Sequence, residues 1–166
     1  MSRRFGAIAV FIATIAIPHA SPADPGDAYV RAYLDESRNV HVLTARGDDV
    51  LLTKRGRYQD PKVSPNGKAV GVQVLSRIKD ARDEEIEVSQ SLWIYSGGRI
   101  VRRISADGFI RAWGFWKEGE AVAIYSGALH FAGFYALYDL STGEELERSK
   151  DPVEEGSPDW VLALQP

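Results

Sequence analysis

The chain has 166 residues, contains no cysteine, and carries 20 Lys and Arg against 23 Asp and Glu, a formal net charge of −3. The lack of cysteine excludes a disulfide framework and a lipid-attachment cysteine, so the fold must be held by an apolar core. Mixed charges with a slight acidic excess argue against nucleic acid as a partner, because nucleic-acid binding needs clustered Lys and Arg.

Residues 1–23 have the features of a secretory signal peptide. Arg3 and Arg4 precede residues 5–17, an uncharged stretch of thirteen residues that is too short to cross a bilayer as a helix, which needs about 20. Cleavage is expected after Ala23 or Ala20, with an uncleaved anchor as the alternative, and the arginine pair leaves a twin-arginine route open. Cleavage after Ala23 changes the net charge from −3 to −5. The segment therefore predicts a periplasmic or secreted bacterial protein that is not inserted in the membrane.

After a linker or first strand at residues 24–39, the sequence predicts short β-strands joined in hairpins. Each arm is rich in β-branched and aromatic residues, and each turn contains Gly, Asp or Ser. The three predicted hairpins pair residues 40–44 with 50–53, 92–95 with 100–104, and 134–140 with 145–148. His41 alternates with Val40 and Val42, so it is expected to point away from the face that the two valines share. One short polar helical turn is predicted at residues 80–88.

The chain repeats a unit after 52 residues, since residues 67–72 align without gaps on residues 119–124. Further along, residues 92–95 correspond to residues 135–138. The two turns of a unit are 31 residues apart in the first copy and 24 in the second, and the extra seven residues fall in 79–87, which predicts a loop insertion. Four short strands that recur with a period of about 45 to 52 residues are typical of β-propeller blades.

Residues 58–70, Tyr-Gln-Asp-Pro-Lys-Val-Ser-Pro-Asn-Gly-Lys-Ala-Val, carry a family resemblance. The stretch resembles the repeat of TolB-like, or WD40-like (PD40), β-propellers, in which Ser-Pro-Asp-Gly-Lys precedes a β-run. Asn66 stands where those repeats have Asp, Val63 stands where they have an aromatic residue, and the second copy at residues 116–119 keeps only the glycine. The resemblance covers residues 40–150. It implies a propeller fold and a cell-envelope location, and it implies no enzymatic activity.

The turn within this motif is interpreted as the connection between two blade strands. Pro65 presets its own φ, and the turn is expected to place Asn66 and Gly67 in left-handed conformations. The turn is therefore predicted to be structural, and the repeat that it marks is the informative feature.

The predicted fold class is all-β: a partial, open β-propeller of TolB-like or WD40-like blades, each an antiparallel four-stranded sheet, with a β-sandwich as the alternative. The repeat domain at residues 40–150 supplies a half-blade (40–53) and two fuller blades (60–104 and 110–148). Residues 151–166 form a C-terminal extension in which 160–164 are a possible last strand. Because closed propellers have about four to eight blades, the arc is expected to stay open or to close through a homo-oligomer or a capping partner.

No catalytic, cofactor-binding or metal-ligating residue is predicted. His41 and His130 are 89 residues apart, without a metal-ligand spacing. Ser96 and Ser126 lack the Gly-x-Ser-x-Gly elbow of serine hydrolases. The acidic run at residues 80–87 lacks the pattern of a calcium-binding loop.

Aromatic residues crowd the second half of the repeat, and most of them are expected to fill the core between blades. Since neighbouring rings on one strand point to opposite faces, at least one face presents a large ring to a neighbouring blade or a partner. The candidate interaction surface consists of Trp113, Trp116, His130, Phe131 and Tyr135.

Together these features predict an exported, non-enzymatic, propeller-like protein that mediates protein–protein interactions with unidentified envelope proteins in the bacterial periplasm or cell envelope. The alternative is an accessory propeller piece of a hydrolase or a small glycan-binding module. The enzymatic alternative requires His130, Asp139 and further acidic residues to converge in one groove.

Overall fold

The computed structural model describes residues 27–128 and 130–164. Within these residues, eleven β-strands form three antiparallel sheets, and one short helix follows them. The predicted signal peptide at residues 1–23 lies outside the described residues. In the described part of the chain, no helix has the length and apolar character of a bilayer-spanning segment.

The first sheet contains β1 (Tyr29–Leu34), β2 (Val40–Thr44) and β3 (Asp49–Leu51), in the order β1-β2-β3. The alternation along β2 buries Val40 and Val42 and places His41 on the opposite face, as predicted. The His41 ring stacks on Tyr33, and its Nδ1 lies 3.0 Å from a carboxylate oxygen of Asp49. His41 is therefore part of a polar group on the outer face of this sheet.

The second and third sheets are four-stranded meanders, in which each strand pairs with the next along the chain. The second sheet contains β4 (Tyr58–Val63), β5 (Val70–Lys79), β6 (Glu85–Ser96) and β7 (Arg99–Ser105). The third sheet contains β8 (Phe109–Trp116), β9 (Ala121–Gly127), β10 (Phe134–Asp139) and β11 (Glu145–Lys150), and a 3-10 turn at Lys117–Gly119 joins β8 to β9. All three predicted hairpins are present.

The charged segment at residues 79–88 is a strand hairpin, so the predictions of a loop insertion and of a helical turn are both wrong. β5 and β6 continue their pairing into it, with Ile78 opposite Ile86. These two β-branched side chains form a cross-strand pair that favours the extended conformation. Asp80 Oδ1 accepts hydrogen bonds from two backbone N–H groups of the turn, at 2.8 and 3.0 Å. The extra residues of this copy therefore lengthen the hairpin.

The turn at residues 64–67 joins β4 to β5 as predicted. Gly67 has a φ of +69°, and its N–H donates a hydrogen bond of 2.8 Å to the carbonyl oxygen of Ser64. Asn66 does not have a positive φ, so the prediction of a left-handed angle is wrong at this position. Its Oδ1 accepts hydrogen bonds from the Ser64 hydroxyl at 2.8 Å and from the Lys68 N–H at 3.0 Å. Asn66 thus stabilises the turn through its side chain.

The C-terminal segment contains helix α1 (Asp159–Leu162), and the strand predicted at residues 160–164 is wrong. Pro158 has a φ of −57°, and its carbonyl oxygen accepts hydrogen bonds from the N–H groups of Val161 and Leu162. Both Trp160 and Val161 are buried against the third sheet. A helical turn lets these consecutive side chains reach the same surface, whereas a strand would point them to opposite faces.

The three sheets pack in series through two cores. The core between the first and second sheets contains Val40, Val42, Tyr58, Val70, Val72 and Tyr95. The core between the second and third sheets contains Ala69, Leu92, Ile94, Ile104, Ile110, Trp113, Val122 and Ile124. Successive antiparallel meanders that pack face to face are the arrangement of propeller blades. The chain is therefore an all-β protein with the fold of a partial, open β-propeller, which differs from the two layers of a sandwich.

The C-terminal segment covers the remaining face of the third sheet. Gly71 and Leu92 face the third sheet from the second sheet, and the repeat aligns them with Ala123 and Tyr135. The third sheet's own core on this side contains Ala121, Ala123, Tyr135, Leu137, Trp160 and Val161. Trp160 and Val161 therefore occupy the place that a further sheet would take in the series.

Candidate functional site

A cleft of about 720 Å³ opens along β8, one of the two edge strands of the third sheet. We name it the β8 cleft. It lies between β4 of the second sheet, strands β8 to β10 of the third sheet, and the C-terminal segment at residues 151–164. The polar and aromatic part of its lining consists of Lys62, Arg111, Trp113, Tyr125, Tyr135 and Asp151.

Trp113 forms the floor of the β8 cleft and connects the second sheet to the third. Its indole is buried, and its Nε1 donates a hydrogen bond of 3.2 Å to the carbonyl oxygen of Asp60. Lys62 Nζ lies 5.0 Å from the centroid of the indole and donates a hydrogen bond of 2.5 Å to the Trp113 carbonyl oxygen. A side chain at Gly71 would clash with the indole, so the second sheet has glycine there. Trp113 is a core residue that closes the base of the cleft.

Arg111 stands two residues before Trp113, at a β-bulge that re-aims its side chain toward the opposite wall. Its Nη1 donates a hydrogen bond of 2.9 Å to the Tyr125 hydroxyl, which donates one of 2.9 Å to Asp151 Oδ2. The Tyr125 ring also stacks on Tyr135, with centroids 4.4 Å apart. This chain of hydrogen bonds fixes the C-terminal segment to the third sheet.

The loop between β9 and β10 carries His130 and Phe131 beside the β8 cleft. Both are exposed, and 74% of the Phe131 surface is accessible. Arg111 Nη2 donates hydrogen bonds to the carbonyl oxygens of Ala128 and Phe131, the latter at 2.7 Å. Gly133 approaches the backbone of β9 so closely that a Cβ would clash with it. The backbone that carries the Phe131 ring is therefore held at two points.

The five residues of the predicted interaction surface lie in three environments. Trp113 and Tyr135 are buried, so the prediction of exposed anchors is wrong for both, because their rings fill the cores on the two faces of the third sheet. Trp116, at the far end of β8, is half-buried and packs against the core that contains α1. His130 and Phe131 are exposed.

Sequence reasoning does not single out Arg111, Tyr125 or Asp151, although all three organise the cleft. The alternation along β8 gives no signal for Arg111, because the β-bulge at this residue turns its side chain away from the face that carries Trp113. Asp151 gives no signal either, because its contact with Tyr125 depends on the path of the C-terminal segment.

The shifted carboxyl groups of the third sheet lie outside the β8 cleft, at the β10–β11 hairpin. Hydrogen bonds from the Ser141 hydroxyl and from the Thr142 backbone N–H hold the pKa of Asp139 below its usual range. The Arg148 guanidinium, which donates to both carboxylate oxygens, lowers the pKa of Glu145. These shifts have their cause in a turn and an ion pair that stabilise the hairpin.

The described residues do not bring His130 and Asp139 together. The two stand at opposite ends of β10, a strand of six residues that spans about 17 Å. Asp151 is the one carboxylate in the lining of the β8 cleft, and its Oδ2 accepts the bond from Tyr125. No group of three or more His, Asp or Glu able to hold a metal ion occurs among the described residues. The lining of the β8 cleft is mostly aromatic and apolar.

No protein-family model matches this chain, and no curated protein matches it. Among solved structures, the chain is similar to the β-propeller domain of the trilobed protease from Pyrococcus furiosus, at 12% identity and a TM-score of 0.45, over 73% of this chain and 38% of that one. It is also similar to the hydrazine synthase of Kuenenia stuttgartiensis, at 15% identity and a TM-score of 0.38, over 83% of this chain and 53% of that one. The matched part is thus about two-fifths to one half of those chains.

Proposed function

We propose that this protein is an exported, non-enzymatic β-propeller-like module that binds other proteins of the bacterial periplasm or cell envelope. The observation that carries the proposal is the exposed ring of Phe131 on a loop that Arg111 holds beside the β8 cleft. A large ring on a fixed backbone is a typical anchor of protein interfaces, because little conformational freedom is lost on binding. The TolB-like resemblance of residues 58–70 and the uncharged segment at 5–17 support the envelope location.

The β8 cleft extends this surface. Val153 and Leu164 supply apolar wall, while Lys62 and the Tyr125 hydroxyl supply polar groups next to it. Apolar centres with polar surroundings are typical of protein interfaces. A partner that packs on Phe131 therefore has a neighbouring concave surface for a second side chain.

Photocrosslinking in intact cells tests the proposal. A photoreactive amino acid in place of Phe131 is expected to capture a small set of envelope proteins. The matched control is the same substitution at Leu146, which is 56% exposed on β11, and it should capture few of them. The same abundant proteins at both positions would contradict the proposal.

The export proposal has its own test. Cell fractionation is expected to place the protein in the periplasm or the medium, and sequencing of the mature protein should give an N-terminus at residue 24 or residue 21. A full-length chain that stays in the cytoplasm would contradict export.

Closure of the arc by a homo-oligomer is a further part of the proposed partners. Val30, Val50 and Leu51 of the first sheet are exposed apolar residues that a second copy would cover. Light scattering over a wide concentration range is expected to show a mass that rises with concentration. A monomeric mass at all concentrations would contradict closure between copies.

The polar groups that line the β8 cleft, among them Lys62, Asp151 and the Tyr125 hydroxyl, favour a second candidate, a glycan-binding module, because sugar hydroxyls form hydrogen bonds with such groups. A glycan array with the full chain discriminates between the two candidates. Saturable binding of one glycan class, weakened by Tyr125→Phe, would support the glycan-binding hypothesis and count against the protein-binding hypothesis. The absence of binding across the array is the outcome expected from the main proposal.

A further inference from the structure

A second cleft, of about 580 Å³, lies between the first and second sheets and concentrates positive charge. We name it the basic cleft. Residues 52–55, which follow β3, form one side, and residues of β4, β6 and β7 form the other. Its charged lining residues are Lys54, Arg55, Arg99 and Arg103, and no Asp or Glu belongs to the lining.

The four cations of the basic cleft have no carboxylate partner among the described residues. The described ion pairs of Lys and Arg involve other side chains, for example Arg148 with Glu145 and Lys79 with Asp83. The whole chain has a net charge of −3. The basic cleft is therefore a local region of positive charge on a net-acidic protein, and such a region attracts anions.

Two neighbouring arginines on β7, Arg102 and Arg103, differ in their contacts. Arg102 points to the third sheet, and its guanidinium donates hydrogen bonds to the carbonyl oxygens of residues 140, 141 and 142. Arg103 points to the basic cleft, and its described contact is with the Trp93 ring, 5.0 Å from guanidinium carbon to ring centroid. The hydrogen-bond donors of Arg103 are therefore open to a ligand.

The floor of the basic cleft is aromatic. Trp93 is half-buried, and Tyr58 meets it edge to face with ring centroids 6.3 Å apart. The Trp93 ring keeps the Arg103 guanidinium in a defined plane, and a planar guanidinium binds a carboxylate through two parallel hydrogen bonds. The strand that carries these arginines, β7, is an edge strand of the second sheet, so its free backbone groups can pair with an extended chain.

We propose that the basic cleft binds a short acidic segment of a partner protein, with Asp or Glu carboxylates on Arg99, Arg103 and Arg55 and an apolar side chain on Trp93. The inference rests on the proposed protein-binding function and adds a separate contact surface and the chemistry of its ligand. The cleft volume lies within the range of about 300–1,000 Å³ that is typical of ligand sites. A long polyanion such as a nucleic acid is disfavoured, because it would extend beyond the cleft over the surface of a net-acidic protein.

Fluorescence anisotropy with the purified full chain tests the proposal. The probe is a labelled peptide of four glutamates and one tryptophan, and the comparison probes are the corresponding lysine peptide and an oligothymidylate much longer than the cleft. The acidic peptide is expected to bind saturably at low salt and more weakly as the salt concentration rises. The lysine peptide and the oligothymidylate should bind at least about tenfold more weakly, since one repels the cations and the other is too long for the cleft.

Matched double variants locate the binding. Arg99→Gln with Arg103→Gln should weaken acidic-peptide binding by about fivefold to tenfold, as expected for two partly exposed ion pairs. Arg77→Gln with Arg82→Gln changes the net charge equally, on the exposed β5–β6 hairpin, and should weaken binding by less than about twofold. Trp93→Phe, which keeps an aromatic floor, should weaken binding by less than the arginine variant while the melting temperature stays close to that of the wild type.

Several outcomes would overturn the inference. No binding of the acidic peptide at low salt, or an equal loss in both double variants, removes the cleft as an acidic-peptide site. Tighter binding of the oligothymidylate assigns the cleft to a nucleic acid instead. If the acidic peptide fails while Phe131 still captures specific partners, only this inference is wrong. If the peptide binds through Arg99 and Arg103 while Phe131 captures nothing specific, the Phe131 surface is wrong and the basic cleft stands.

Discussion

The second and third sheets are both four-stranded meanders, but different residues stabilise the turn between their first two strands. In the second sheet, the Ser64 hydroxyl oxygen accepts a hydrogen bond of 2.9 Å from the Ala69 N–H, and Asn66 bonds to the same turn. In the third sheet, Lys117 and Glu118 have φ values of +47° and +54°, a region that non-glycine residues rarely adopt. The third-sheet turn therefore contains unfavourable backbone angles, whereas side-chain hydrogen bonds stabilise the second-sheet turn.

Contact between the two turns explains how the strained one persists. A Cβ at Gly119 would lie 2.8 Å from the Ser64 Cβ, so the third-sheet turn packs directly on the second-sheet turn. Strained backbone persists where the surrounding structure holds it. Stacking of one sheet on the next, in addition to local sequence, therefore determines the path of the chain.

The largest effect is expected where the two sheets meet. Trp113→Ala should lower the free energy of unfolding by about 3 to 5 kcal/mol, because it leaves a cavity and removes the bond to Asp60. Urea denaturation measures the change. Phe131→Ala, on an exposed side chain, is the control and should change the unfolding free energy by less than about 0.5 kcal/mol. A small effect at Trp113 would show that the sheets do not depend on each other.

Gly71→Ala tests the difference between the second sheet and the third, which has Ala123 at the aligned position. The added methyl group should cost about 1 to 3 kcal/mol, because the Trp113 indole occupies its place. In a Trp113→Leu background, the cost of Gly71→Ala should fall, since the smaller side chain leaves room for the methyl group. An unchanged cost in that background would mean that the clash is not with Trp113.

Ser64→Ala removes the hydroxyl that closes the second-sheet turn. The loss should be about 1 to 2 kcal/mol, because the buried Ala69 N–H then lacks its partner. Ser105→Ala, on an exposed serine at the end of β7, should be nearly neutral. Equal effects at the two serines would show that the side-chain bond is unimportant.

Glu118→Gly tests strain in the third-sheet turn. Glycine adopts the φ of +54° without steric cost, and the net stabilisation should be about 0.5 kcal/mol after the added freedom of the unfolded chain is subtracted. Thermal melts measure the change in melting temperature. The control is Lys150→Gly, a replacement on β11 that should lower the melting temperature. A lower melting temperature for Glu118→Gly than for the wild type would show that the backbone at Glu118 is not strained.

The smallest effect concerns the turns between the last two strands of each sheet, at the same end as the turns compared above. The β6–β7 turn uses two glycines with positive φ. The β10–β11 turn uses one, Gly143, together with the Asp139 carboxylate, whose pKa the Ser141 hydroxyl holds below its usual range. A lowered folded-state pKa contributes stability above the unfolded pKa of about 3.9, and this contribution is lost as the pH falls through the folded-state value.

Asp139→Asn should therefore lower the melting temperature slightly at neutral pH and reduce the further loss on acidification below about pH 4. Glu155→Gln, on an exposed residue of the C-terminal segment, is the matched control and should keep the wild-type acid profile. An acid profile of Asp139→Asn identical to that of the wild type would rule out a contribution from the turn.

Features that depend on local sequence could be predicted from the chain. The hairpins follow from strand propensity and turn residues, and the repeat follows from the alignment of residues 67–72 with 119–124. The prediction for residues 79–88 is wrong because a run of charges favours a loop, whereas cross-strand pairing of Ile78 with Ile86 decides the conformation. Helix α1 was missed because only the contact with the third sheet requires Trp160 and Val161 on one side.

The two clefts show what composition leaves out. The mixed charge of the whole chain suggests that Lys and Arg are dispersed, yet packing of the first sheet on the second brings Arg55 and Arg99 into one cleft. In the same way, Arg111 and Asp151 meet at Tyr125 only because the C-terminal segment returns to the third sheet. These groups are 40 residues or more apart in the sequence. Tertiary structure brings them together, and no local sequence pattern indicates that they meet.

The C-terminal helix makes the two ends of the stack of sheets different. Trp160 and Val161 already fill the outer face of the third sheet, so another sheet or a second copy reaches that face only by displacing them. The outer face of the first sheet carries instead the polar group of His41, Tyr33 and Asp49. The helix thus gives the two ends of the described stack different surfaces: the chain itself covers the third-sheet end, whereas the first-sheet end carries the polar group and the exposed Val30 and Leu51.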